Sequence, residues 1–151
     1  QNVTVEQIMT HDVFAVAPDT SLETAARMMV QRGVSGAPVV GGDKRAVGVI
    51  SLVDLADPDR VKGEAEGYPV FYRLIDGMAE TLGDGVRPSA GRVDEVMTPS
   101  VLTVEYDTEL RDAAERLLQF GVHRLLVTRD GILVGIVSAV DMLRGMLHGA
   151  E

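Results

Sequence analysis

Apolar positions along the chain switch between two spacings, and the switch occurs twice in the same order. Leu22, Ala25, Ala26, Met29 and Val30 fall at i, i+3, i+4, i+7 and i+8, the spacing of one face of an α-helix. Leu110, Ala113, Ala114, Leu117 and Leu118 repeat it. Thr20 with Glu23 predicts a reciprocal capping box at the first helix start, and Thr108 predicts a lone cap at the second. Gly33 and Gly121 supply the left-handed residue that ends each helix. Ahead of each helix lies an apolar stretch too short for a helix, Val13 to Val16 and Val101 to Val104, and both are predicted strands. After each glycine come two apolar runs, Ala37 to Val40 then Val47 to Ile50, and Leu125 to Val127 then Leu133 to Val137. Gly-Gly-Asp or Arg-Asp-Gly between the runs predicts hairpins. The runs alternate poorly, as strands covered on both faces do, and each second run feeds a helix beginning at Ser51 or Ser138.

The same elements return because the sequence returns. Val5 to Val53 aligns with Val93 to Val140 at an offset of about 88 residues, with one residue lost in a turn. Met-Thr, Asp-Thr, Ala-Ala, Gly-Val and Gly-x-x-Ser-x-x-Asp recur in step. The fold class is therefore α+β, a tandem repeat of β-α-β-β-α units. A unit of roughly 50 residues seldom buries enough apolar surface alone, so the two copies are expected to pack on each other. The expected division is a first repeat over 1–56, a linker over 57–92 and a second repeat over 93–151.

The middle departs from the repeat. Pro58 is expected to end the helix after Ser51 early, and Lys62-Gly-Glu, Gly83-Asp-Gly and Arg87-Pro-Ser punctuate the segment from there to Arg92. Within it Phe71, Leu74, Ile75, Met78, Ala79 and Leu82 share one helical face and predict an inserted amphipathic helix. It either packs on the protein's own surface or serves as a dimer seam or lid. Tyr68, Phe71 and Tyr72 cluster here, with no positional support for stacking on a base. Met28, Met29, Met142 and Met146 lie at helical spacing and are expected in the core.

Charge and composition narrow the function classes. With 23 acidic against 14 basic residues and a net charge of -9, the surface repels phosphate backbones, so nucleic acid is not an expected partner. No apolar run approaches the roughly 18 to 20 residues of a membrane span, and no basic-then-apolar leader opens the chain. A soluble, cytoplasmic protein without membrane attachment is expected. Cysteine is absent, and His11, His123 and His148 are too far apart for a metal-binding spacing. Neither a metal site nor a catalytic thiol is expected. The chain also lacks a phosphate-binding Gly-x-x-x-x-Gly-Lys loop, so no catalytic residues are assigned and no enzyme is expected.

The repeated Ser-x-x-Asp is the remaining candidate for chemistry. At a strand-to-helix junction it places a hydroxyl at the helix cap and a carboxylate one turn inside, beside free backbone N–H groups and the positive end of the helix dipole. Such an end can hold phosphate, and an aspartate can accept hydrogen bonds from both ribose hydroxyls. The plainer reading is that Ser51 with Asp54 and Ser138 with Asp141 only cap their helices.

The order of elements, with GVISLVD (Gly48 to Asp54) and GIVSAVD (Gly135 to Asp141) closing each copy, resembles the tandem cystathionine-beta-synthase-type (CBS) domain pair. The resemblance covers nearly all the chain except its middle. It implies a pseudo-two-fold pair with two clefts, and a homodimer. It implies no cofactor, but a regulatory ligand containing adenosine: AMP, ADP, ATP or S-adenosylmethionine. In the first cleft it assigns Ser51 and Asp54 with Thr103, Val122, His123 and Arg124. In the second it assigns Ser138 and Asp141, with Val34, Ser35, Gly36 and Ala37 meeting the base through backbone groups and Ala15 at the floor. The first has the stronger phosphate chemistry, because Arg124 can fork onto phosphate oxygens and His123 can donate. Ser35, Gly36 and Ala15 stand where His123, Arg124 and Thr103 stand in the other copy. The expected function is ligand sensing, relayed to an effector protein or through the oligomer. The alternative is a structural dimerisation and protein-interaction module with vestigial clefts. Gln1 at the start leaves room for further domains beyond the chain.

Overall fold

The computed structural model describes residues 3–56, 69–73 and 90–148. Twelve elements lie within them: α1 (Val5–Ile8), α2 (Leu22–Arg32), β1 (Gly36–Val40), β2 (Ala46–Ser51), α3 (Leu52–Ala56), α4 (Val70–Arg73), α5 (Val93–Val96), β3 (Thr103–Glu105), α6 (Leu110–Phe120), β4 (Arg124–Arg129), β5 (Ile132–Ser138) and α7 (Ala139–His148). The fold is mixed α+β, as expected. Compactness, however, groups the described residues across the repeat. One unit, here the second-repeat unit, joins residues 102–148 with 3–13 and 72–73; the other, the first-repeat unit, joins 14–56 with 69–71 and 90–101.

Both hairpins form. β1 pairs antiparallel with β2, and β4 with β5, each with an irregularity near the turn. The residue lost between copies changes the turn. Arg129 pairs with Ile132 across Asp130 and Gly131, both at positive φ (54° and 84°), the twist that a two-residue hairpin loop requires. The first copy uses a longer loop with Lys44 at φ 68°, closed by Gly41 N–H on Arg45 O at 3.0 Å. The central residues of β1 and β4 are buried along continuous runs, which is why their sequences do not alternate.

The strand expected at Val13 to Val16 does not form. Only Val16 makes a bridge, parallel, to Val39. In the second copy β3 pairs parallel with β4, starting two residues later than expected, and Leu126 N–H donates to Leu102 O at 3.0 Å. Pro38 occupies the place of Leu126 and has no N–H, so that rung is missing.

The helix caps also differ from expectation. Ser21, not Thr20, caps α2, its Oγ accepting from Thr24 N–H at 3.1 Å. Glu109, not Thr108, precedes α6 and makes no side-chain cap. The two threonines are engaged through their carbonyls instead: Thr20 O accepts from Val93 N–H of α5 at 2.8 Å, and Thr108 O from Val5 N–H of α1 at 2.9 Å. Leu22 N–H and Leu110 N–H return bonds to Gly91 O and Val3 O, so each helix start is capped by an arm distant in sequence. Gly33 and Gly121 close the helices at φ 68°, as expected.

Leu22, Ala25, Ala26 and Met29 pack into one core cluster with Val39, Ile50, Leu55, Val93 and Val96. Full burial of each large side chain contributes about 1.5–3 kcal/mol. The outermost positions of the two helical faces are corrected: Val30 and Leu118 are exposed. So is Met146, whereas Met29 and Met142 are buried. Each apolar stripe is wider than the surface that covers it. Of the expected inserted helix, Phe71 lies in α4, while Leu74, Ile75, Met78, Ala79 and Leu82 lie outside the described residues, as do Tyr68 and the punctuation around them.

Candidate functional site: the two Ser-x-x-Asp corners

Each hairpin runs directly into a helix, and the junction has the same geometry in both units. In the first-repeat unit Ser51 N–H donates to Asp54 Oδ2 at 2.9 Å, Ser51 Oγ donates to the same oxygen at 3.1 Å, and Asp54 N–H donates to Ser51 Oγ at 3.3 Å. In the second, Ser138 N–H donates to Asp141 Oδ2 at 3.0 Å and Asp141 N–H to Ser138 Oγ at 3.1 Å. This is a reciprocal capping box with aspartate in the place of glutamate. Ser51, Asp54, Ser138 and Asp141 are the buried polar group at the junctions, which holds each carboxylate in one orientation.

The strand opening each hairpin brings its first residues to the same corner. Gly36 is the register partner of Ser51, and Leu52 N–H donates to Ser35 O at 2.9 Å. Arg124 is the partner of Ser138, and Ala139 N–H donates to His123 O at 2.8 Å. Val34 and Ser35 are half-buried, Gly36 and Ala37 buried; Val122 is buried, His123 and Arg124 half-buried. Ala15 precedes the Val16 bridge, and Thr103 opens β3 beside Leu126. Within each unit, therefore, the corner and the strand start of one and the same repeat are brought together.

The glycine that begins the motif has a separate cause. A Cβ on Gly48 would lie 2.7 Å from Thr98 O and 2.9 Å from Met97 Sδ. A Cβ on Gly135 would lie 2.5 Å from Met9 Sδ and 2.9 Å from Thr10 O. Thr98 bridges Val49 and Thr10 bridges Ile136, with paired backbone bonds of 2.8–3.1 Å. The recurring Met-Thr dipeptides thus lie across the recurring glycines, each arm on the motif of the other copy. Repetition alone did not reveal that link.

Sequence reasoning also missed Arg144, whose Nη1 lies 3.6 Å from Asp141 Oδ1 while its side chain is largely exposed. An Asp-x-x-Arg spacing on the helix face was the available signal. For Tyr72 the sequence pointed only to the ring; its hydroxyl accepts from Leu102 N–H at 2.9 Å. Burial pushes the Tyr72 phenol up, against the lowering effects of that bond and of Arg124. Among the described residues no helix is long and apolar enough to cross a membrane, and no three His, Asp or Glu residues converge as metal ligands would.

Two units of one plan, each with a capped Ser-x-x-Asp corner behind a hairpin, define a tandem-repeat α+β module. The CBS domain family profile matches residues 5–58 and again 93–148, and the chain belongs to that family as a tandem pair. The chloroplastic CBS domain-containing protein CBSX1 of Arabidopsis thaliana is 32% identical over 153 residues, covering 96% of this chain and 64% of the relative. The crystal structure of CBSX2 in complex with AMP is similar with a TM-score of 0.68 at 32% identity, covering 96% of each chain. The CBS domain pair of protein MJ0100, solved with 5′-methylthioadenosine and S-adenosylmethionine, shares the fold at 19% identity, with a TM-score of 0.64 and complete coverage of both chains. The chain spans 64% of the length of the two curated plant relatives.

Proposed function

We propose that this chain is a regulatory module that binds an adenosine-containing ligand and catalyses nothing itself. The observation that carries the reading is the duplicated corner, with its serine N–H to aspartate Oδ2 bonds of 2.9 and 3.0 Å in the two units. In each unit a carboxylate beside a helix start suits a nucleotide, the carboxylate accepting from ribose hydroxyls and the helix start facing phosphate. Support comes from CBSX2, which was crystallised with AMP and is 32% identical. AMP is therefore the first ligand to test, ahead of ADP, ATP and S-adenosylmethionine.

The residue sets implied by the resemblance are part of the proposal. Asp54 and Asp141 take ribose hydroxyls, and Arg124 and His123 supply the positive potential that a chain of net charge -9 must create locally. The module acts as a homodimer: Leu118 on α6 and Leu143, Met146 and Leu147 on α7 are exposed apolar side chains that a second copy would cover. Occupancy shifts the module between conformations, and a separate effector protein reads the shift.

Isothermal titration with AMP, ADP, ATP, S-adenosylmethionine and a GMP control tests this. One adenosyl ligand should bind, Asp54→Ala and Asp141→Ala should each remove a component of the binding, and light scattering should show the dimer unchanged. Absence of binding by every adenosyl ligand would favour the second reading, a structural and protein-interaction module. That reading has its own observation: both serines and both aspartates already serve as caps.

A further inference from the structure

Tyr72 stands apart from the repeat, yet it reaches both strands of the second-repeat unit that carry proposed ligand contacts. Its side chain is fully buried. Its hydroxyl accepts from Leu102 N–H at 2.9 Å, thirty residues away and one residue before Thr103. Its carbonyl accepts from His123 N–H at 2.8 Å. One linker residue therefore ties the start of β3 and the start of β4, which are parallel neighbours with Thr103 in register with Leu126. Arg116 also donates to Thr103 O at 3.1 Å. Phenylalanine would fill the volume, as the adjacent buried Phe71 does; only the hydroxyl makes the Leu102 bond. Arg124 is among the charges acting on the phenol, which puts its guanidinium within electrostatic reach of Tyr72.

We propose that Tyr72 is a positioning residue for ligand recognition, holding the backbone that presents Thr103, His123 and Arg124 to a nucleotide phosphate. The inference rests on the proposed function and deepens it: affinity for a phosphate met by Thr103, His123 and Arg124 depends on a linker residue that touches no ligand. A small loosening of this backbone misaligns donors whose bonds depend on distance and angle.

The test is titration of Tyr72→Phe with AMP and with adenosine, which lacks the phosphate. Tyr72→Phe should weaken AMP binding roughly 3- to 10-fold, the effect of about one net hydrogen bond. Adenosine binding should be unchanged. A residue that merely supports the fold would lower the unfolding temperature and either leave AMP affinity unchanged or weaken AMP and adenosine by the same factor; either result overturns the proposal. If Tyr72→Phe does not fold, amide exchange in the wild-type protein decides, since AMP should slow the Leu102 and His123 amides, and unchanged rates for both overturn it. A wild-type protein that binds no AMP defeats the proposed function itself, before Tyr72 enters.

Discussion

In the second-repeat unit the chain entering α6 runs beside β4 as a three-residue parallel strand; in the first-repeat unit the matching segment touches β1 through a single bridge at Val16. One residue accounts for the missing rung: Leu126 donates a hydrogen bond where Pro38 has nothing to donate. The same two units differ at their strand starts, where His123 and Arg124 face Ser35 and Gly36 as counterparts. They differ again at the carboxylates, since Asp141 lies near Arg144 whereas Asp57 stands at the matching position of the first copy. Both copies keep the corner, the antiparallel strand pair and the left-handed cap. The strand-start positions Ser35 and Gly36 against His123 and Arg124 vary, so the two corners share a geometry and differ in their neighbouring side chains.

The comparison can be broken most severely at β4. Leu126→Pro removes the Leu102 rung and a fully buried side chain, and should cost more than about 3 kcal/mol in urea unfolding. Pro38→Val should do the reverse in kind, supplying a new N–H whose slow exchange would show that Phe14 has joined β1. Next in size are the close-approach glycines. Gly48→Ala meets a backbone oxygen and should cost about 1–3 kcal/mol. Gly135→Ala meets the Met9 side chain first, so Met9→Ala should recover part of its loss, whereas Met97→Ala should recover less for Gly48→Ala.

Smaller effects are expected at the caps. Asp54→Ala leaves Ser51 N–H and Oγ without their carboxylate and should lower stability by about 1–2 kcal/mol apart from any ligand. The smallest concerns Arg92, whose guanidinium holds the Asp94 carboxyl below the usual carboxylate range through a hydrogen bond, Nε to Oδ1 at 3.2 Å. A lowered folded value stabilises above the unfolded value, near pH 4, and the contribution is lost as pH falls through the folded value. The melting-temperature gap between wild type and Asp94→Asn should therefore shrink below about pH 4, and at high salt, since the pair is exposed.

Local patterns were legible. Helical spacing found α2 and α6, the glycines found their ends, and turn residues found both hairpins, because each signal lies within a few residues of the structure it specifies. The features that escaped depend on distant partners. Thr20 and Thr108 look like caps until α5 and α1 take their carbonyls. Val13 to Val16 looks like a strand until its neighbour proves to be a proline. Val30, Leu118 and Met146 lie on apolar faces, but how much of a face is covered is set by the elements that pack on it. The serine and aspartate pairs stand out through their repetition. The roles of Arg144 and the Tyr72 hydroxyl do not, since one needs a rotamer and the other a contact thirty residues away.

The central claim is that the duplicated corners bind an adenosine nucleotide, and thermal unfolding with AMP tests it most directly. At 100 times its dissociation constant AMP should add about 2.7 kcal/mol, which is roughly 5–10 °C for a chain of this size. The combined variant Asp54→Ala with Asp141→Ala should still unfold cooperatively and show no shift. A wild-type protein that shows no shift with AMP, or a combined variant that shifts as far as the wild type, would contradict the account.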